Sequence, residues 1–92
     1  MSKTVYSRVL RPPTTSFFLL RRGRELLAVE VKAARTFSRS QLAGLKAVGG
    51  LPGVVRRLLV YGGVDQLEMA VGVEVWPVRH FCEALAGDRL WP

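Results

Sequence analysis

The chain is poor in cysteine and histidine, and it carries no carboxylate before Glu25. A single cysteine, Cys82, excludes an internal disulfide framework and fits a reducing compartment, so a cytoplasmic protein with Cys82 used for packing is expected. A single histidine, His80, offers no second imidazole for a metal cluster, and it is expected at the surface or near the cap of the last helix. No apolar run approaches the roughly 20 residues that span a bilayer, and no charged segment leading into a long apolar run opens the chain, so neither membrane insertion nor export is expected. There is no internal repeat and no Gly-Lys-Ser/Thr loop to hold nucleotide phosphates, which argues against ATP hydrolysis by this chain alone.

What is present describes a small folded unit with a basic surface. Hydrophobic residues make up 49% of 92 positions and charged residues 23%, a balance that builds one modest core rather than a disordered chain. Fourteen Lys and Arg against seven Asp and Glu leave a net charge of +7, which favours polyanions or acidic proteins as partners. The basic residues cluster at Arg21, Arg22 and Arg24 and again at Arg56 and Arg57, without the interleaved aromatics of a base-stacking surface.

Taken in order, Lys3–Leu10 is rich in β-formers and is stopped by Arg11-Pro12-Pro13, so Met1–Thr14 reads as an edge strand or an ordered arm able to pair with a second copy. Residues 15–92 read as one α/β domain. Thr15–Leu20 and Glu25–Ala33 flank Arg21-Arg22-Gly23-Arg24 as a β-hairpin, with Gly23 supplying the turn, and antiparallel counting sets Glu30 opposite Thr15 or Ser16. Ser38 and Gln41 have capping-box spacing for a helix over Ser38–Val48, with Phe37 stapled to Leu42 and a core stripe of Leu42, Leu45 and Val48. Arg57–Tyr61 reads as a strand parallel to the hairpin, reached by a right-handed crossover. A loop over Val64–Gly72, a strand over Val73–Trp76 and a helix over Val78–Ala86 follow, with Val78, Phe81, Cys82 and Leu85 inward, Gly87 as cap, and Trp91 against the domain or at a contact surface. The expected architecture is a small mixed sheet of about four strands with a crossover helix and a C-terminal helix.

The chemistry concentrates in Leu26–Arg35. Strand alternation sends Leu27, Val29, Val31 and Ala33 to one face and Ala28, Glu30 and Lys32 to the other. Two charges within so apolar a strand require a cleft, a metal or polar partners, here a mutual salt bridge or contacts to Arg35 and Gln41, because burying an unpaired ion costs several kcal/mol.

A hairpin bearing Glu-x-Lys, a capped helix and a parallel strand resemble the PD-(D/E)XK nuclease-like core. More narrowly, Leu26–Arg35, the Ser38–Val48 helix, the Leu58–Gly63 strand and Val73–Pro77 resemble the C-terminal domain of uncharacterised prokaryotic AAA-type ATPases. The resemblance spans roughly Ser16 to Leu85 and implies a truncated relative without the ATPase domain. It further implies Glu30 as a ligand for Mg²⁺ or Mn²⁺, Lys32 as the residue that positions or deprotonates the attacking water, and an acid on the preceding strand. That third member is missing, because the equivalent stretch is Thr15-Ser16-Phe17. The expectation is therefore a non-catalytic interaction or nucleic-acid-binding module, with Arg21, Arg22, Arg24 and Arg35 as phosphate contacts and no cofactor. A divalent-metal-dependent DNA endonuclease, completed by another acid such as Glu74 or a second copy's Glu68, is the rival reading, and a protein docking domain is the third.

Overall fold

Three eight-residue strands, β1 (Thr4–Arg11), β2 (Thr15–Arg22) and β3 (Glu25–Lys32), form an antiparallel meander in the computed structural model. The structure describes residues 4–11, 15–69 and 72–92, and among these the side chains of 17–40, 42–69 and 72–92. The Pro12-Pro13 stop expected after β1 lies outside the described residues. The β2–β3 loop is the two-residue Gly23-Arg24, and Gly23 has φ 61°, as a tight hairpin loop opening on glycine requires. This loop lies one residue later than the expected turn centre, so Glu30 pairs with Phe17 instead of Thr15 or Ser16.

After β3 the chain crosses over through a short 3₁₀ segment, Arg39–Leu42, and a helix α1 of only six residues, Ala43–Val48. The helix expected over Ser38–Val48 is thus 3₁₀ in its first turn. The N-cap of α1 is Leu42, which makes no side-chain cap bond, and the Ser38 hydroxyl lies 2.9 Å from that of Ser40. β4 (Val54–Tyr61) then runs parallel to β3, starting three residues earlier than the sequence implied. The stretch read as a loop contains β5 (Leu67–Glu68), antiparallel to β6 (Glu74–Pro77), and β6 is parallel to β4. The chain closes with α2 (Val78–Ala86). Among the described residues, six strands form one mixed sheet in the order β1-β2-β3-β4-β6-β5, with one helix on each face.

Alternation along the strands builds two cores. On the α1 face, Ala28, Leu59, Tyr61 and Val75 are buried with Phe17, Leu42 and Leu45. Phe37 joins this cluster by meeting the Tyr61 ring edge-on at 5.5 Å. On the α2 face, Leu27, Val29, Leu58, Val60 and Trp76 are buried with Ala84 and Leu90.

The orientation of α2 departs from expectation. Its one buried residue is Ala84, while Cys82, Val78 and Leu85 are exposed. The small side chain lets the helix sit close to β4 and β6, which turns Cys82 away from the core. It also leaves Phe81 and Leu85 beside an apolar groove of about 610 Å³ floored by Phe18, Leu20, Val29 and Val31.

The end of α2 also differs in detail. Gly87 is the C-cap at φ −90°, and the left-handed position falls on Asp88, at φ 54°. The Arg89 amide donates to the Ala84 carbonyl at 2.7 Å and the Asp88 amide to that of Leu85 at 3.3 Å, a Schellman closure with a non-glycine at its strained position. Asp88→Gly is therefore expected to stabilise the domain by about 0.5–1 kcal/mol, which for a chain of this size raises Tm by a few degrees. An unchanged or lower melting temperature would refute this account of the cap.

Candidate functional site

Glu30 sits in the second half of β3, between Phe17 of β2 and Leu59 of β4. All three positions belong to the α1 face, and Lys32, two residues on, pairs with Tyr61 of the same face. The expectation that Glu30 and Lys32 share a face therefore holds, because alternation is a property of the strand itself. Their environments differ. Glu30 is 4% exposed and is engaged rather than free, whereas Lys32 is half-buried at the strand end.

The position that should bring a second carboxylate to Glu30 holds a phenyl ring instead. Phe17 is 5% exposed and belongs to the core cluster beneath α1. The other acids are placed elsewhere. Glu74 pairs with Leu58, and its carboxylate accepts from the Trp76 indole at 3.2 Å and bridges Arg56 at 3.0 Å, all on the α2 face. The sheet lies between it and Glu30. Glu68 is exposed on the outermost strand, three strands from β3, which is about 14 Å at the usual strand spacing. Glu25 bridges Arg22 at 3.5 Å beside the hairpin tip. Asp65 contributes its backbone, not its carboxylate, to the Tyr61 hydroxyl, accepting at 2.8 Å and donating at 3.1 Å. Among the described residues no three His, Cys, Asp or Glu side chains converge as a metal site.

The arginines expected to contact phosphate do not form one group. Arg21, Arg22 and Arg24 share the hairpin tip, with Arg21 Nε donating to the Gly23 carbonyl at 3.0 Å and Arg22 lying 4.7 Å above the Trp91 ring. Arg35 follows the other end of β3, about 26 Å away by strand rise. Arg56 was flagged in the sequence only as part of a charge pair, yet it joins several polar and aromatic partners on the α2 face. It bridges Glu74, lies 5.2 Å from the Trp76 ring and donates to the Leu90 carbonyl at 2.7 Å. His80 stands edge-on to Trp76 at 4.4 Å, near the start of α2 as expected.

A cleft of about 640 Å³ opens at the carboxyl ends of β4 and β6, bordered by Gly62, Gly63, Arg79 and His80. No helix among the described residues is long and apolar enough to cross a membrane. In comparisons with known proteins, no family model, no curated protein and no solved structure matches this chain.

Proposed function

We propose that this domain is a nuclease-like module that binds nucleic acid without cleaving it. The observation carrying the proposal is the pairing of Glu30 with Phe17, which puts a buried ring where metal-dependent phosphodiester cleavage calls for an anionic oxygen. A hard dication held for hydrolysis needs several oxygen ligands, and Glu30 with Lys32 offers one carboxylate and one cation. The order of meander, crossover helix and parallel strand is the order that the resemblance to the PD-(D/E)XK core implies, and it supports that relationship. The net charge of +7 supports a polyanionic partner. An exposed, solitary Cys82 is in keeping with a reducing cytoplasm. The open edge at β1 supports pairing with a second copy.

The expected result with supercoiled plasmid and millimolar Mg²⁺ or Mn²⁺ is retention without nicking, with binding that weakens steeply as salt rises. Mn²⁺-dependent nicking that Lys32→Ala abolishes would establish the endonuclease reading instead. Absence of any DNA binding at low salt would leave the protein-docking reading.

A further inference from the structure

Strand polarity gathers positive charge at one end of this molecule. β3, β4 and β6 are parallel, so their first residues lie along one edge of the sheet, and both helices return the chain to that edge. The contacts bear this out one by one. Leu26 N donates to Gly53 O at 2.7 Å, joining the hairpin tip to the start of β4. Arg57, paired with Ala28, donates to the Leu45 carbonyl at 3.2 Å and so ties the last turn of α1, with Lys46, to the same edge. Arg56 reaches the Arg89 carbonyl at 3.4 Å beyond the end of α2.

Arg21, Arg22, Arg24, Lys46, Arg56, Arg57 and Arg89 are thereby collected from four segments of the chain, with Glu25, Glu74 and Asp88 as acids beside them. Glu25 and Glu74 are already bridged to Arg22 and Arg56. Arg21, Arg24, Lys46 and Arg89 are exposed.

We infer that this basic end, and not the Glu30–Lys32 pocket, is the surface that grips the sugar–phosphate backbone of a nucleic acid. The inference rests on the nucleic-acid reading above and adds the place of contact. Six of the seven cations are arginines, whose planar fork matches phosphate oxygens in a way that a lysine-rich surface does not. The width from β2 to β4 is about 10 Å, enough for about three phosphates of one strand at 3.4 Å of helix axis each. The two rings at this end, Trp91 and Trp76, already lie against Arg22 and Arg56, so the grip is on backbone rather than bases and is independent of sequence. Lys32 and Arg35 lie at the far end of β3, out of reach of a duplex seated here.

The test compares two triple variants that remove the same charge from opposite ends. Arg21→Ala/Arg24→Ala/Lys46→Ala strips exposed side chains from the basic end, and Arg35→Ala/Arg39→Ala/Arg79→Ala strips exposed side chains from the other. Binding to a labelled DNA duplex is read by anisotropy across a salt series. The first variant is expected to lose about tenfold or more in affinity at low salt and to lower the slope of log K against log salt by about 2–3, one step per lost phosphate contact. The second is expected to leave the slope within error of the parent. Arg21→Lys/Arg24→Lys, which keeps the charge, should retain most of the slope, and a loss there equal to that of the alanine variant, in a protein that still melts cooperatively, would show that charge at these positions does not hold the duplex and would overturn the assignment. Equal losses in both triple variants overturn the location but keep the nucleic-acid reading. An unbound parent protein overturns both. Preference for polyglutamate over duplex, lost with the same three residues, overturns nucleic acid as the partner.

Discussion

Leu45→Ala is expected to destabilise the domain by about 3 kcal/mol and to release α1 before the sheet unfolds. Leu45 is 0% exposed and is the one buried residue of a six-residue helix, far below the length at which a helix persists by itself in water. The helix is held by this side chain, by Leu42 just ahead of it and by Arg57 on its Leu45 carbonyl, not by its own hydrogen bonds. Truncating a buried leucine removes its transfer free energy and leaves a cavity, which together cost about 2–5 kcal/mol. In a domain of this size that is a large part of the total stability. Urea unfolding gives the overall loss, and hydrogen exchange at Ala43–Val48 tests the local one. Leu45→Met, which keeps the volume, should cost less than about 1.5 kcal/mol. A Leu45→Ala loss below 1 kcal/mol, or α1 amides that stay as protected as those of β4, would show that the helix does not depend on this contact. The result bears on the candidate site as well, because Glu30 shares the face that α1 covers.

Arg56→Met is expected to cost about 2 kcal/mol and to free the C-terminal segment. The methionine keeps an apolar stem against Trp76 but removes the guanidinium that donates to the Leu90 carbonyl and bridges Glu74. A charged hydrogen bond is worth about 1.5–3 kcal/mol where partly buried, and the 30% exposure of the Glu74 side chain keeps the ion pair's own share small. Most of the loss should therefore come from the Leu90 carbonyl and the undocking of Leu90 from its core. Increased proteolysis between Gly87 and Pro92, with red-shifted tryptophan fluorescence as Trp91 meets water, reads this directly. Arg22→Met removes the contact over Trp91 together with the exposed pair to Glu25, and should cost about 0.5–1 kcal/mol. If the two substitutions cost the same, Arg56 is not the tether of the tail.

The candidate site was half legible in the sequence. Glu30 and Lys32 stand out in an apolar strand, and their common face follows from alternation alone. The absence of a carboxylate before Glu25 is equally plain. What opposes Glu30 was not legible, because a hairpin's register turns on which two residues form its loop. Placing the loop at Gly23-Arg24 brings Phe17 into line, and a loop one residue earlier would have set Thr15 opposite Glu30 instead. Glu74 is a reasonable rescuing acid when read along the chain, yet its strand register puts it on the wrong side of the sheet.

By itself, then, the sequence determined the elements that depend on near neighbours: the alternation of β3, the glycine turn, the strand–helix–strand order and the bounds of α2. Each is governed by spacing and backbone chemistry within a few residues, so each can be read locally. Tertiary structure alone decided the ring opposite Glu30, the outward turn of Cys82, the strained Asp88 and the assembly of basic residues from four segments at one end. Those depend on how far a strand slides, how a helix rolls onto the sheet and which strand ends share an edge. Packing sets all three by contacts between residues far apart in the chain.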